Sequence, residues 1–148
     1  MIFFEDVEIG TVQQFGSVDV TREEVLAFAH RYDPQPFHID DELAAKTPFG
    51  KIAASGWHTG AMVMRVIVDF WTGKGFMGIG SPGLDELRWL KPVYPGDTLT
   101  VTGEIIDKKE SRSKPNIGSI WSDISAHNQQ GVLVMRYRSI VMMLRRPT

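Results

Sequence analysis

An aspartate and a histidine five residues apart, Asp33 and His38, are the pair best suited to chemistry in this sequence. They sit in Tyr32-Asp33-Pro34-Gln35-Pro36-Phe37-His38-Ile39-Asp40, with two prolines between them. Proline fixes φ, removes a backbone donor and pushes the preceding residue out of the helical region. Asp33 and Gln35 each precede a proline, so the spacing predicts a stiff, non-helical loop. A carboxylate and an imidazole on a rigid frame suit general acid–base work, because proton transfer needs positioned groups. Fully extended, five residues span about 17 Å, so the two side chains meet only if the loop doubles back. Taken alone, the segment suits a turn aspartate and a structural histidine as well.

Other chemistries find less support. The chain has no cysteine, which excludes thiol nucleophiles, disulfides and Cys-ligated metals. Its four histidines show no H-x-H or H-E-x-x-H spacing, so no metal site is expected. His30 and His127 read as structural, and His58 as a helix-surface or interface residue with a polar neighbour. Gly78-Ile79-Gly80-Ser81-Pro82-Gly83 matches G-x-G-x-x-G, but it follows a helix and precedes a strand, the reverse of the dinucleotide-binding context. It is expected to be a loop. A net charge of −2 gives no broad basic face for nucleic acid. Lys108, Lys109, Arg112 and Lys114 suit a solvated hairpin tip better than a phosphate site. Arg136 and Arg138 share a strand face and could meet phosphates or pair across the sheet. The start, Met1-Ile2-Phe3-Phe4-Glu5-Asp6, lacks the form of a signal peptide. The longest apolar run, Ala61 to Trp71, is broken by Arg65 and Asp69 and falls short of a membrane span. A soluble, cytoplasmic protein with one domain over residues 1–148 is expected.

The elements that would position Asp33 and His38 can be read in order. A strand is expected near Thr11 to Val20. A helix follows, with Thr21 and Glu24 as a capping box and Val20 and Val25 as its hydrophobic staple. Val25, Phe28, Ala29 and Tyr32 share a face. After the proline-framed loop, Asp40 caps a short helix that Thr47-Pro48 stops. The strongest helix runs from Gly56 to about Trp71, with a narrow polar stripe of His58, Arg65, Asp69 and Thr72. Being apolar nearly all round, it is expected to be buried on most sides. From Leu84 onward the pattern changes to strands: weakly at Leu84 to Leu90, cleanly at Thr98 to Ile106, then Ile117 to His127 and Val132 to Leu144. Lys108 to Asn116 reads as a polar connection. Short connections without helices imply an antiparallel sheet, and the sum is an α+β domain with a long helix across a curved sheet.

Asp33-Pro34-Gln35-Pro36-Phe37-His38 resembles the D-x-N-P-x-H motif of the MaoC-like, (R)-specific enoyl-CoA hydratases, which have the hot-dog fold. Asp40, Ala44 or Ala45, Phe49, Ser55-Gly56 and Lys91-Pro92-Val93-Tyr94-Pro95-Gly96-Asp97 extend the likeness over most of the chain. Gln35 stands where the family usually has Asn, and Ser55 where it usually has the His of a His-Gly pair. Met64 falls where some members carry a serine.

The resemblance implies reversible addition of water to a trans-2-enoyl-CoA or similar thioester, without cofactor or metal. Asp33 and His38 would bind the water and share the acid and base roles. Gly56 would offer its free N–H, at the positive end of the helix, to the thioester oxygen. Tyr32, Gln35, Phe37, Ser55 and Trp57 would surround the substrate. A homodimer or higher homo-oligomer is implied as well, with no nucleic-acid or membrane partner. Gln35 and Ser55 keep two alternatives open: a hot-dog acyl-CoA thioesterase, and a non-catalytic subunit that binds acyl thioesters.

Overall fold

The computed structural model describes residues 1–148. In chain order it has a single 3-10 turn Phe4–Asp6, strand β1 (Val12–Asp19) and helices α1 (Arg22–Tyr32), α2 (Pro36–Ile39), α3 (Asp41–Ala45) and α4 (Gly56–Lys74). Strands β2 (Gly78–Trp89), β3 (Thr98–Glu110), β4 (Ile117–His127) and β5 (Leu133–Leu144) follow. The strands form one antiparallel sheet in the order β1-β3-β4-β5-β2. Short antiparallel connections build β3, β4 and β5, while β1 and β2 take the two edges.

The period of two in β3 decides which face meets α4. Leu99, Val101, Gly103 and Ile105 are buried, and the residues between them are not. Ile124, Ala126, Val134 and Tyr137 continue this inner face and pack with Met62, Val63 and Val66 of α4. The result is a sheet curved around a central helix, the hot-dog arrangement.

The start signals operate as the sequence suggests. The Thr21 hydroxyl accepts the Glu24 N–H at 3.3 Å, and Val20 and Val25 are both buried beside it. Asp40 Oδ1 accepts the Leu43 N–H at 2.9 Å and caps α3. α4 runs past Trp71 to Lys74 and stops at Gly75, whose φ of +68° suits a residue without a Cβ.

Several expectations need correction. The glycine-rich segment 78–83 is not a loop but the first half of β2, paired with β5. Its register shifts occur at Gly80 and Gly83, where positive φ permits bulges that a loop-like composition conceals. β3 extends to Glu110, so the connection expected from Lys108 begins later. Lys108 is also no solvated cation. Its Nζ donates to the Phe4 carbonyl at 3.0 Å and the Val7 carbonyl at 2.8 Å, beside the Phe4 ring. Arg138 pairs across the sheet with Asp123 at 2.9 Å. Finally, α4 is covered on one side rather than most. Met62, Val63 and Val66 are buried, whereas Trp57, Met64 and Val68 remain exposed, because five strands wrap only one face of the helix. No helix is long and apolar enough to cross a membrane.

Candidate active site

The proline-framed segment solves the doubling-back problem with one turn of helix. Pro36 takes the first position of α2, where its missing N–H costs nothing, so residues 36–39 are helical rather than a loop. Asp33 ends α1, with its N–H bonded to Ala29 O at 2.9 Å. The turn between brings Asp33 Oδ2 to 3.3 Å from His38 Nε2.

Ala53 clamps this arrangement with its backbone. Its N–H donates to Phe37 O at 3.2 Å, and its carbonyl lies 2.6 Å from His38 Nδ1. A carbonyl only accepts, so Nδ1 carries the proton, and Nε2 of a neutral ring is left as an acceptor facing Asp33. Gln35 Nε2 donates to Asp33 Oδ1 at 2.6 Å and fixes the carboxylate from its other side. Burial pushes the Asp33 carboxyl up. The Ser55 hydroxyl, the Gln35 amide and, when its ring is protonated, the charge of His38 together outweigh that and hold it below its ordinary value.

Ser55 stands at the N-cap of α4 but does not cap it; its side chain makes no bond to the first turn. It is 1% exposed, and its Oγ meets no partner at hydrogen-bonding geometry, although it lies close enough to favour the charged form of Asp33. The first N–H groups of α4 are therefore left to whatever approaches them. Gly56 supplies the foremost. A Cβ there would lie 2.5 Å from the Trp89 ring, so only glycine lets β2 close over the helix start.

Asp33, His38 and Gly56 line one cavity of about 480 Å³, together with Gln35, Phe37 and Trp57. Its remaining wall is mostly apolar, with Phe49, Ala53, Trp89 and Val134 among its members and Thr59 and Lys91 as the polar ones. A carboxylate, an imidazole acceptor and a free helix N–H thus converge in an apolar pocket. That set can move protons to and from a bound molecule while stabilising a developing negative charge. Residues 5–119, which include the Asp33-to-His38 motif, match the family model of the MaoC like domain.

The chain belongs to the MaoC-like dehydratase family.

This MaoC-like chain is similar to the MaoC-like dehydratase from Rhodospirillum rubrum, at 36% identity and a TM-score of 0.86 over 100% of both chains. It is 32% identical to the uncharacterized protein YdeM of Bacillus subtilis, over 95% of this chain and 98% of that protein. Over 96 residues, 64% of each chain, it is 35% identical to the 3-hydroxyacyl-thioester dehydratase Z of Mycobacterium tuberculosis. Its family includes relatives that are named hydratases and dehydratases.

Two of the expected residues lie outside the MaoC-like cavity. Tyr32 is 65% exposed and lines a separate groove between α1 and α4, with Phe28 and His58. Ser55 sits behind Asp33 rather than in the wall. His58, expected at the helix surface or an interface beside a polar neighbour, is buried between α1 and α4 instead. It is 7% exposed and stacks on Phe28 at 4.9 Å, with its Nδ1 unpartnered. Burial pushes its pKa down, against a smaller upward pull from Glu24. Sequence reasoning missed Ala53 and Trp89, and read Phe49 as part of the family likeness without placing it in the cavity wall. Ala53 acts through its backbone and leaves no side-chain signal, whereas Trp89 lies two residues before the Lys91-to-Asp97 turn that carries family likeness.

Proposed function

We propose that this chain catalyses the reversible hydration of a trans-2-enoyl thioester, such as an enoyl-CoA, to a 3-hydroxyacyl thioester. The observation that carries this is the 3.3 Å approach of Asp33 Oδ2 to His38 Nε2 beside the free Gly56 N–H. With Nδ1–H committed to Ala53 O, both facing atoms are acceptors. Two acceptors aimed at one point can take the two hydrogens of a single water and leave an oxygen lone pair for C3. As that oxygen bonds to C3, the Asp33–His38 pair takes one proton from the water and a proton is delivered to C2. In between, negative charge gathers on the thioester oxygen, where Gly56 N–H and the positive end of α4 favour it. Dehydration retraces the same steps.

The active form in this proposal is a homodimer. β2 is an unpaired edge strand, and Ile79, Leu84 and Trp89 on it are exposed along with Trp57, Met64 and Val68 of α4. An apolar edge of that kind calls for a partner.

The test is loss of the conjugated enoyl-thioester absorbance across a panel of trans-2-enoyl-CoAs. Wild type is expected to hydrate at least one. Asp33→Asn and His38→Gln are each expected to lower kcat by about 10³-fold or more, within the range for losing a catalytic group. Full activity in both variants sinks the proposal. Release of free thiol without hydration would assign hydrolysis instead.

A further inference from the structure

One donor at the helix start leaves a thioester oxygen half-served, since oxyanion sites commonly present two. Resting on the hydration proposed above, we infer that the indole N–H of Trp89 is the second donor to the thioester oxygen. Trp89 closes β2, where it pairs with Met135 of β5, and the next residue is tied by Leu90 N–H to Val134 O at 2.8 Å. The ring lies flat against Gly56. A Cβ at that position would be 2.5 Å from Cε2, 2.6 Å from Cδ2 and 2.9 Å from Nε1. The pyrrole side of the indole, which bears the N–H, therefore rests at the helix start.

Nε1 lies 2.9 Å from the Cβ position of Gly56, and two bonds of about 1.5 Å each lead from there to Gly56 N. The two nitrogens are thus no more than about 6 Å apart. Donors that share one oxygen at about 2.9 Å each can be separated by nearly that much. Both border the cavity that holds Asp33 and His38. The indole N–H donates to no acceptor of the chain, and its ring is braced edge-on by Trp57, with centroids 5.1 Å apart and planes at 80°. An unpaired donor held by a strand on one side and an aromatic ring on the other is preorganised, as charge stabilisation requires. The same contact accounts for glycine at position 56: the space a Cβ would fill is taken by the donor's ring.

The decisive variant replaces Trp89 with 3-benzothienylalanine, which keeps the bicyclic shape and substitutes sulfur for N–H. Trp89→Phe is its genetically encoded companion. Hydration kcat is expected to fall about 10- to 100-fold, with KM moving less than about threefold, because the bond strengthens only as charge develops. A benzothienyl variant with kcat within about twofold of wild type overturns the inference. An independent readout is the indole N–H resonance of Trp89 in ¹⁵N-tryptophan-labelled protein, assigned by its absence from the Trp89→Phe spectrum. Saturation with unreactive butyryl-CoA is expected to move that proton downfield, and an unmoved signal at saturation overturns the inference. If wild type hydrates no enoyl-CoA, the proposed function fails, while the resonance still decides whether Trp89 holds the thioester oxygen.

Discussion

Gly56→Ala is the sharpest single perturbation of this site, because it adds one methyl group and removes no functional atom. The new Cβ would lie 2.5 Å from Trp89 Cε2, whereas ordinary contact begins at 3.4 Å, so the ring must retreat by about 0.9 Å. Trp89 is 44% exposed in the single chain and lies outside the hydrophobic core, so its retreat leaves the core packing in place. Overpacking typically costs about 1–3 kcal/mol, and alanine regains up to about 1 kcal/mol of helix propensity over glycine. A net loss of about 0–2 kcal/mol is expected, which leaves the protein folded. Activity is far less tolerant. A misplacement near 1 Å can cost about 10²-fold in rate, so kcat for enoyl-thioester hydration is expected to fall about 100-fold. Gly60→Ala on the same helix is the control. Its Cβ would meet only the Met135 methyl, at 3.6 Å, and activity should be unchanged. Initial rates and thermal melts of the two variants side by side separate the effects. Gly56→Ala with kcat within about threefold of wild type would refute the close packing of Trp89 on the helix start.

Two further outcomes follow from other contacts. The Ser55 hydroxyl is one of the groups holding the Asp33 carboxyl below its ordinary value, so Ser55→Ala raises that pKa. Asp33 must be ionised to serve as base, so activity is lost as pH falls through its folded pKa, and the acid limb of the kcat/KM profile should move to higher pH in the variant. Because the hydroxyl is buried without a full partner, its removal should leave the melting temperature unchanged or raised. An unmoved acid limb would show that Ser55 does not act on Asp33. Lys108→Met removes the two hydrogen bonds to the Phe4 and Val7 carbonyls. It should cost about 2 kcal/mol in chemical denaturation and speed hydrogen exchange over the N-terminal turn, and unchanged exchange there would count against Lys108 as its anchor.

Local signals were legible wherever one residue type forces one conformation. The Thr21 and Asp40 caps and the alternation of Leu99, Val101, Gly103 and Ile105 belong to that class. The glycine-rich start of β2 was not legible, because Gly80 and Gly83 read as turn residues when their positive φ serves bulges inside a strand. Pro36 misled in the opposite sense. It forbids a helix running through it but favours one that begins with it, so the expected loop contains a helical turn. Tyr32 and Phe37 show where sequence distance stops helping. Each adjoins one member of the Asp–His pair, yet the turn of α2 carries Phe37 into the cavity while Tyr32 lines a separate groove between α1 and α4.

The separation between the proton-moving pair and the helix N–H is set by contacts that belong to neither. Asp33 is the last cap of α1, and Gly56 opens α4, so the packing of those two helices fixes how far apart their ends lie. Phe28 of α1 stacks on His58 of α4 with planes only 13° apart, within two turns of each functional end. Ala53 then locks the intervening turn by both of its backbone groups, and Ala54 N–H ties the same segment to Val93 O at 2.7 Å. These supports are backbone groups and stacked rings, and the one ionisable ring among them, His58, is buried and so favours its neutral form. Protons can therefore move within the Asp33–His38 pair without disturbing the frame that aims it, the condition for a site that must hold the same geometry through successive protonation states.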